Sequence, residues 1–347
     1  MQAFIGKEEM SRYLRLMNNR EYLNKLAAVV ASAWDLHIKH SNNELRVQTS
    51  GDDEEAVCYL CLDGGVDETD QPLRRDCSCR GTDAGYVHLS CLTGYAETKS
   101  IRAHGMNQFS DPWRVCPSCN QVYQNELAID IATKFVSFVR GQYPDNTHRQ
   151  VEALNVKLRA LNSMFGRLQP RQKREFGVTA NVLLSLIGRI KTNVSPLPKR
   201  YSEFQADAHY AHGRIALEEG TEESARRALV HFANHLEVKE AISDDQGIAT
   251  AKSNIALAKS KYEGGNNKEE VLRASQELYE LRTAEYGEEN EYTIRAGKIY
   301  AINLQDANHR VEARELLMKL QATSMQVLGP HHNITKNILS AIECLKL

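Results

Sequence analysis

The sequence predicts a mainly α-helical protein in which a small cysteine-rich domain precedes a solenoid of helical repeats. Seven of the eight cysteines of the 347-residue chain lie between positions 58 and 119. From Asn125 to Leu347, apolar residues recur at helical spacing in segments of about 15–24 residues, separated by turn signals rich in glycine and proline. The end of this helical region also repeats itself at an offset of 42 residues.

Composition divides the chain into four segments. Residues 1–45 carry one apolar stripe at three- and four-residue steps, which predicts an N-terminal helical segment. Residues 46–56 form an acidic, glycine-containing stretch that has the composition of a linker. The cysteine-rich domain spans residues 57–123, and the helical repeat domain spans residues 124–347.

Charge and hydropathy exclude several classes of function. The chain has 43 Lys+Arg against 45 Asp+Glu, a net charge of −2, which argues against bulk electrostatic binding of nucleic acid or anionic membranes. No segment reaches the roughly 18–20 uninterrupted apolar residues of a membrane span. The first residues lack the basic and apolar regions of a secretory signal. We therefore expect a soluble cytoplasmic or nuclear chain without a nucleic-acid partner.

The C-terminal repeat consists of paired helices. Residues 286–293 align with residues 328–335, and both contain a glycine at the turn and a threonine six residues later. One helical hairpin cannot bury its apolar face alone, so neighbouring units must stack into a solenoid with a concave surface for a protein substrate or partner. Residues 248–347 resemble the tetratricopeptide repeats of the kinesin-light-chain type, whereas the helices in 125–247 drift out of this register.

The cysteines occur in closely spaced pairs, and one histidine completes the set. The candidate metal ligands are Cys58 and Cys61, Cys77 and Cys79, His88 and Cys91, and Cys116 and Cys119. Zn²⁺ takes four tetrahedral nitrogen or sulfur ligands, so eight ligands make two structural sites with no open position. We therefore expect two structural zinc ions and no catalytic residue. Small domains that lack a large apolar core depend on such ions for stability.

The ligand order resembles that of the RING-CH family, the RING variant found in membrane-associated March-type ubiquitin ligases. The resemblance rests on residues 77–82 (CSCRGT), 86–92 (YVHLSCL) and 113–119 (WRVCPSC). Eight residues separate Cys79 from His88, where the family usually has seven. The resemblance implies an interleaved cross-brace, with one zinc on Cys58, Cys61, His88 and Cys91 and the other on Cys77, Cys79, Cys116 and Cys119.

A PHD finger is the main alternative because it has the same ligand order. PHD fingers usually leave a longer gap between the third and fourth ligands than the single Ser78 of this chain. They also usually place a tryptophan two residues before the seventh ligand, whereas Trp113 lies three residues before Cys116. Both differences favour the RING variant.

The resemblance implies an E3 ubiquitin ligase that recruits a ubiquitin-conjugating enzyme and positions its thioester without forming one itself. The positions that match the enzyme-binding surface are Leu60, Leu62, Tyr95 and Pro117. Packing within the zinc domain is the alternative role for Leu60, Leu62 and Tyr95. Asn120 stands where strong RING ligases often carry an arginine or lysine. The alternative function is a non-catalytic zinc-binding adaptor, and a histone-tail reader would need an aromatic cage that the sequence does not supply.

The remaining histidines and the last cysteine suggest no separate chemistry. A metalloprotease helix would need a glutamate between paired histidines, and this chain has none there. We expect surface histidines at His209, His212, His231 and His235 on the repeat helices, and at His331 and His332 in the repeat turn. For Cys344, in the last predicted helix, we expect the role of a small buried hydrophobic residue.

Overall fold

The computed structural model describes residues 56–77, 79, 85–262, 267–330 and 332–344. These residues all belong to one compact unit, Glu54–Leu347. The predicted N-terminal helical segment and nearly all of the predicted acidic linker lie outside the described residues, as does His331.

The prediction of a mainly α-helical chain is confirmed. Within the described residues there are twelve α-helices and no β-strand beyond four isolated bridges. The helices are α1 Leu89–Ile101, α2 Met106–Ser110, α3 Asn125–Gln142, α4 Thr147–Ser163, α5 Pro170–Lys191, α6 Lys199–Glu219, α7 Glu222–Ala241, α8 Asp245–Tyr262, α9 Lys268–Tyr286, α10 Glu291–Asp306, α11 Arg310–Val327 and α12 Asn333–Cys344. Short 3-10 turns cover Asp111–Trp113 and Phe165–Arg167.

Most helix ends coincide with the turn signals of the sequence. Helix α5 begins at Pro170, whose missing N–H costs nothing at a first helical position. Helix α6 ends before Gly220, which has the left-handed φ of 72° that favours glycine, and the Thr221 side chain then caps α7. The sequence did not predict the break between α7 and α8, where Ser243 adopts a φ of 53° in place of a glycine.

A hydrogen bond recurs at the offset that the sequence repeat indicates. The Thr293 hydroxyl at the start of α10 donates to the carbonyl oxygen of Arg282, at 3.0 Å. The Thr335 hydroxyl at the start of α12 donates to the carbonyl oxygen of Ser324, at 3.3 Å. Both the donors and the acceptors are 42 positions apart, so the threonine of the repeat fixes how each helix returns onto the one before it.

The helix caps of the two units are also equivalent. The Asn290 side chain accepts a hydrogen bond from the N–H of Tyr292, at 2.8 Å. At the position 42 residues later, Nδ1 of His332 accepts from the N–H of Ile334, at 3.2 Å. His332 is only 4% exposed. The prediction of a surface histidine is therefore wrong at this position, because the imidazole serves as a buried helix cap.

The spacing of the helices explains why the repeat signal fades toward the N-terminus. Helices α6, α8 and α10 begin at Lys199, Asp245 and Glu291, which are 46 residues apart. The next helix of the series, α12, begins at Asn333, only 42 residues after α10. An alignment at a constant offset of 42 therefore loses register before α10, although the paired-helix arrangement continues.

The helical array returns to its own beginning. Each helix from α3 to α12 packs against the next one, and α4 also contacts α6 as α10 contacts α12. The Asn333 side chain of α12 donates to the carbonyl oxygen of Ser163 at the end of α4, at 3.1 Å. Arg167 in the following 3-10 turn donates to Asn337 of α12, at 2.9 Å. The last helix and the second helix of the array therefore border one common space.

The cysteine-rich segment shares a core with the first helices of the array. Trp113 is fully buried and stacks on Phe135 of α3, with 4.9 Å between ring centroids. The Trp113 indole N–H donates to the hydroxyl of Ser100 in α1, at 2.7 Å. Phe109 packs against Phe135 at 5.4 Å, and the guanidinium of Arg149 in α4 lies over the Phe109 ring.

The four histidines of α6 and α7 do not behave as surface residues. His231 lies 4.9 Å from His212 and 5.9 Å from His209 between ring centroids. His235 is 4% exposed, and its Nδ1 lies 3.0 Å from the carbonyl oxygen of Ala206. Burial lowers the pKa of His209, His212 and His235 to about 4 and that of His231 to about 3. The prediction of surface histidines is wrong at these four positions, because the neutral imidazoles pack in the interface between α6 and α7.

The C-terminal thiol lies at the protein surface. Cys344 is the last residue of α12 and is exposed, so the prediction of a buried hydrophobic role for it is wrong. Its position at the end of the helix leaves the side chain outside the apolar face that α12 packs on α11 and α10. Among the described residues, no helix combines the length and the apolar character that a bilayer span requires.

Candidate metal centre

The structure brings Cys58, Cys61, His88 and Cys91 together in one group, the first quartet. Their ligand atoms all lie within 4.8 Å of one another. Nδ1 of His88 is 3.4 Å from Sγ of Cys61 and 3.8 Å from Sγ of Cys91. Tetrahedral zinc, with Zn–S of about 2.3 Å and Zn–N of about 2.0 Å, separates sulfur from nitrogen by about 3.5 Å. The quartet therefore fits a zinc ion with Nδ1 of His88 as the fourth ligand.

Cys77, Cys79, Cys116 and Cys119 form the second quartet, again with ligand atoms within 4.8 Å of one another. Sγ of Cys79 and Sγ of Cys116 are 3.7 Å apart. Four thiolates around a tetrahedral zinc ion are expected at about 3.8 Å from one another. The two quartets are the interleaved sets that the family resemblance implied. Each supplies four protein ligands, so neither site leaves a position for a reacting water.

Two backbone turns of the same kind present the paired cysteines. The N–H of Leu62 donates to the carbonyl oxygen of Cys58 at 2.8 Å, and the N–H of Asn120 donates to that of Cys116 at 2.9 Å. The residue after each cysteine pair is left-handed, with φ of 67° at Leu62 and 56° at Asn120. Asparagine tolerates this conformation well, whereas leucine does so at a cost. The turn therefore gives a physical reason for asparagine at position 120.

One thiol in each quartet has a pKa below the usual value for cysteine. Burial raises the pKa of Cys58, but backbone N–H groups, foremost that of Cys61, outweigh it and lower the pKa to about 7. The Cys77 thiol, together with backbone N–H groups, lowers the pKa of Cys116 to about 4. Burial and the neighbouring thiols raise the pKa of Cys91 to about 12. A dication reverses this penalty because metal ions bind the thiolate form.

A glycine that sequence reasoning did not select is required beside the second quartet. Gly85 has a φ of +86°, which is unfavourable for any residue with a side chain. A Cβ atom at this position would lie 2.8 Å from Sγ of Cys77 and 3.0 Å from Cβ of Cys79. The backbone must therefore pass directly over the metal ligands, and only glycine leaves room for it.

Asp67 connects the loop between Cys61 and Cys77 to the first quartet. Oδ1 of Asp67 accepts from the N–H groups of Thr69 and Gln71, at 2.9 and 3.0 Å, and Oδ2 accepts from the Ser90 hydroxyl at 2.6 Å. Although burial opposes it, the Ser90 hydroxyl and these further donors hold the pKa of Asp67 well below its usual range. Ser90 precedes Cys91, so this network helps to position a ligand. The Asp-Glu-Thr turn sequence was the available signal.

The four predicted enzyme-contact residues differ in exposure. Leu62 is 73% exposed and Pro117 is also exposed, whereas Leu60 and Tyr95 are half-buried. Packing inside the zinc domain therefore does not explain Leu62. The ammonium of Lys99 lies 5.6 Å from the centre of the Tyr95 ring, on the solvent side of α1.

Comparisons with known proteins agree with this geometry. Residues 58–119 match the family model described as the RING-variant domain. No curated protein matched the chain. The match begins at the first ligand and ends at the eighth, so it contains both quartets and the whole of α1. Residues 58–119 therefore form a RING-variant domain with ligands for two zinc ions, followed by a helical-repeat region.

Proposed function

We propose that the protein is an E3 ubiquitin ligase in which residues 57–123 recruit a ubiquitin-conjugating enzyme and residues 124–347 bind a protein substrate or partner. The two zinc ions are structural, because closed four-ligand sites do not activate water. Catalysis then consists of positioning, which turns a bimolecular meeting of thioester and lysine into a near-attack arrangement. No residue of this chain acts as a nucleophile or general base.

The observation that carries the proposal is the state of Leu62. A large apolar side chain at a left-handed φ costs roughly 1–2 kcal/mol, and exposure of this side chain to water brings no compensation within the domain. Backbone strain of this kind is characteristic of functional sites. Because the turn imposes the left-handed φ, an apolar contact with the conjugating enzyme accounts for an exposed leucine at this position. Leu60, Tyr95 and Pro117 complete the contact surface.

A non-catalytic adaptor is the second candidate, and Asn120 is the observation that favours it. A cation at this position could contact the conjugating enzyme and ubiquitin together. Asn120 cannot supply that charge.

We place the protein in the cytoplasm or nucleus, because seven thiol ligands bind zinc only in a compartment that keeps cysteines reduced.

An autoubiquitination assay with a panel of conjugating enzymes tests the proposal. We expect chain formation by the wild type and a loss of rate of about tenfold or more, or 1.4 kcal/mol, in Leu62→Ala, Leu60→Ala and Pro117→Ala. Val66→Ala is the matched control, since Val66 is also exposed in the same domain and lies outside the proposed contact surface. Elemental analysis should find about two zinc ions in every variant.

One outcome would contradict the ligase, and another would contradict its proposed contact surface. Absence of chains with every enzyme in the panel would favour the adaptor. Equal rates for Leu62→Ala and Val66→Ala would remove Leu62 from the contact surface.

A further inference from the structure

Four cationic side chains lie on the elements that α4, α6, α10 and α12 bring together through helix contacts and side-chain hydrogen bonds. They are Arg167 in the 3-10 turn after α4, Arg214 in α6, and Arg295 and Lys298 in α10. Burial, followed by the charges of Arg295, Arg214 and Arg167, lowers the pKa of Lys298 from 10.5 to about 8. We call these four residues the central basic cluster. Three separate elements contribute to it, so it depends on the closure of the array.

Neutral groups hold two of the guanidinium groups in place. Arg214 donates to the carbonyl oxygen and to the side-chain oxygen of Asn162, at 3.0 and 2.6 Å, and stacks over Phe165 at 4.2 Å. Arg167 donates to the side chain of Asn337 at 2.9 Å. These contacts orient the guanidinium groups without neutralising them.

Acidic side chains compensate the central basic cluster only in part. Arg295 pairs with Glu291 at 2.8 Å. Within the described part of the chain, Arg167, Arg214 and Lys298 form no ion pair with a carboxylate. Positive charges of this number in a partly desolvated space oppose folding unless an anion joins them.

The central basic cluster is open to solvent. Arg167 is exposed, Arg214 and Lys298 are half-buried, and the Arg295 side chain is 37% accessible. An anion can therefore enter and replace the missing carboxylates without a rearrangement of the helices.

We propose that the central basic cluster binds a phosphate group carried by a segment of the protein partner, which specifies the partner class of the proposed repeat-bound substrate. A phosphate carries a charge of about −1.5 to −2 and three acceptor oxygens. The planar guanidinium group offers paired donors that match two such oxygens, and the ammonium of Lys298 adds a point charge. A single carboxylate supplies one charge and two oxygens, so it would leave most of the cluster uncompensated.

Binding of fluorescent peptide pools to the full chain tests this assignment. Three pools share random flanks and carry phosphoserine, glutamate or serine at one fixed position, and fluorescence anisotropy is the readout. We expect the phosphoserine pool to bind most tightly. Lys298→Met should weaken its binding by about tenfold or more. Lys319→Met is the control, because Lys319 is exposed and already pairs with Glu288 at 2.7 Å.

Three results would overturn the assignment. Equal binding of the glutamate and phosphoserine pools would make the cluster a carboxylate site. Binding of free inorganic phosphate without any preference for the phosphoserine pool would show that the cluster binds a free phosphate ion and not a phosphorylated protein segment. Equal losses in Lys298→Met and Lys319→Met would show that the affinity arises from net charge and not from the central basic cluster.

A stability measurement separates a binding role from a structural one. A lysine whose folded-state pKa is lowered disfavours folding while it stays protonated, and this penalty is relieved as the pH rises from about 8 to 10.5. We therefore expect Lys298→Met to raise Tm at pH 7, with a gain that shrinks toward pH 10.5. A lower Tm for Lys298→Met at pH 7 would mean that the lysine is structural and would overturn the proposal.

The ligase and the phosphate site fail in different ways. Autoubiquitination depends on the zinc domain, whereas binding of the phosphoserine pool depends on the central basic cluster. Chain formation with no phosphoserine preference would leave the ligase standing and remove the phosphate site. Phosphoserine binding without chain formation would do the reverse.

Discussion

Single residues with unusual backbone conformations define the zinc domain as much as its ligands do. Leu62 and Asn120 occupy the same left-handed position after their cysteine pairs, one exposed and apolar, the other polar. Gly85 is left-handed as well, but for a steric reason, because its backbone passes directly over Cys77 and Cys79.

We expect Gly85→Ala to damage the second quartet and spare the first. The added methyl group would meet Sγ of Cys77 at 2.8 Å in a backbone conformation that alanine rarely adopts. Elemental analysis should show zinc content falling from about two toward about one ion per chain. Gly94→Ala in α1 is the control, because a Cβ atom there has no neighbour within 4 Å. Two retained zinc ions in Gly85→Ala would refute this account.

The ligands could be predicted from sequence, whereas their supporting residues could not. The close spacing within each ligand pair, such as Cys58 and Cys61, predicts that both side chains can bind one ion. The need for glycine at position 85 depends on a φ angle and on how closely the chain approaches Cys77, which no spacing reveals. The burial of His332 could not be predicted for a similar reason, since it depends on neighbouring elements that cover the turn.

Among the elements, the 3-10 turn at Asp111–Trp113 links the zinc domain to the helical array. The sequence indicated Trp113 only as a flank of the seventh ligand, yet its ring connects α1 to α3 by a hydrogen bond and a stacked contact. The sequence did not reveal α2 before it, because a five-residue helix is too short for periodicity to detect. Most of the longer helices were predictable from their turn signals, apart from the break between α7 and α8.

We expect Trp113→Ala to destabilise the protein by about 3–5 kcal/mol, as is usual for a large aromatic side chain removed from a core. Chemical denaturation should show the loss in the helical signal as well as in zinc retention, because the ring contacts both regions. Trp113→Phe keeps most of the ring and loses the bond to Ser100, so it should cost about 1–2 kcal/mol.

Tyr286→Ala is the control for Trp113→Ala, since Tyr286 is 43% exposed. Unchanged denaturation of Trp113→Ala would show that the zinc domain and the helices are energetically independent.

At the scale of the whole molecule, the zinc domain and the helical array belong to one compact unit. The sequence predicts a metal-dependent domain beside a metal-independent one, and composition alone gives no reason to couple them. The structure adds the coupling through Phe109 and Trp113, whose partners on α3 would lose their cover if the zinc domain unfolded. Contacts between distant segments of this kind depend on the tertiary arrangement and leave no periodic trace.

Removal of zinc tests this coupling. We expect a strong chelator to leave most of the helical circular dichroism at 25 °C, because α4–α12 pack mainly on one another. The Tm of that helical signal should fall by about 4 °C or more, which corresponds to a loss of at least about 1–2 kcal/mol. Added zinc should restore it. An unchanged Tm of the helical signal in the presence of the chelator would contradict the shared core. Complete loss of helicity would contradict an array that its own packing stabilises.

The contact of Asn333 with Ser163 also limits how the chain can change over evolutionary time. An open solenoid can gain or lose units at its ends, because each unit touches only its neighbours. Here one inserted hairpin would carry α12 past α4 and break the contact between them. We expect natural variation to appear in the side chains that line the enclosed space, while the number of hairpins stays constant.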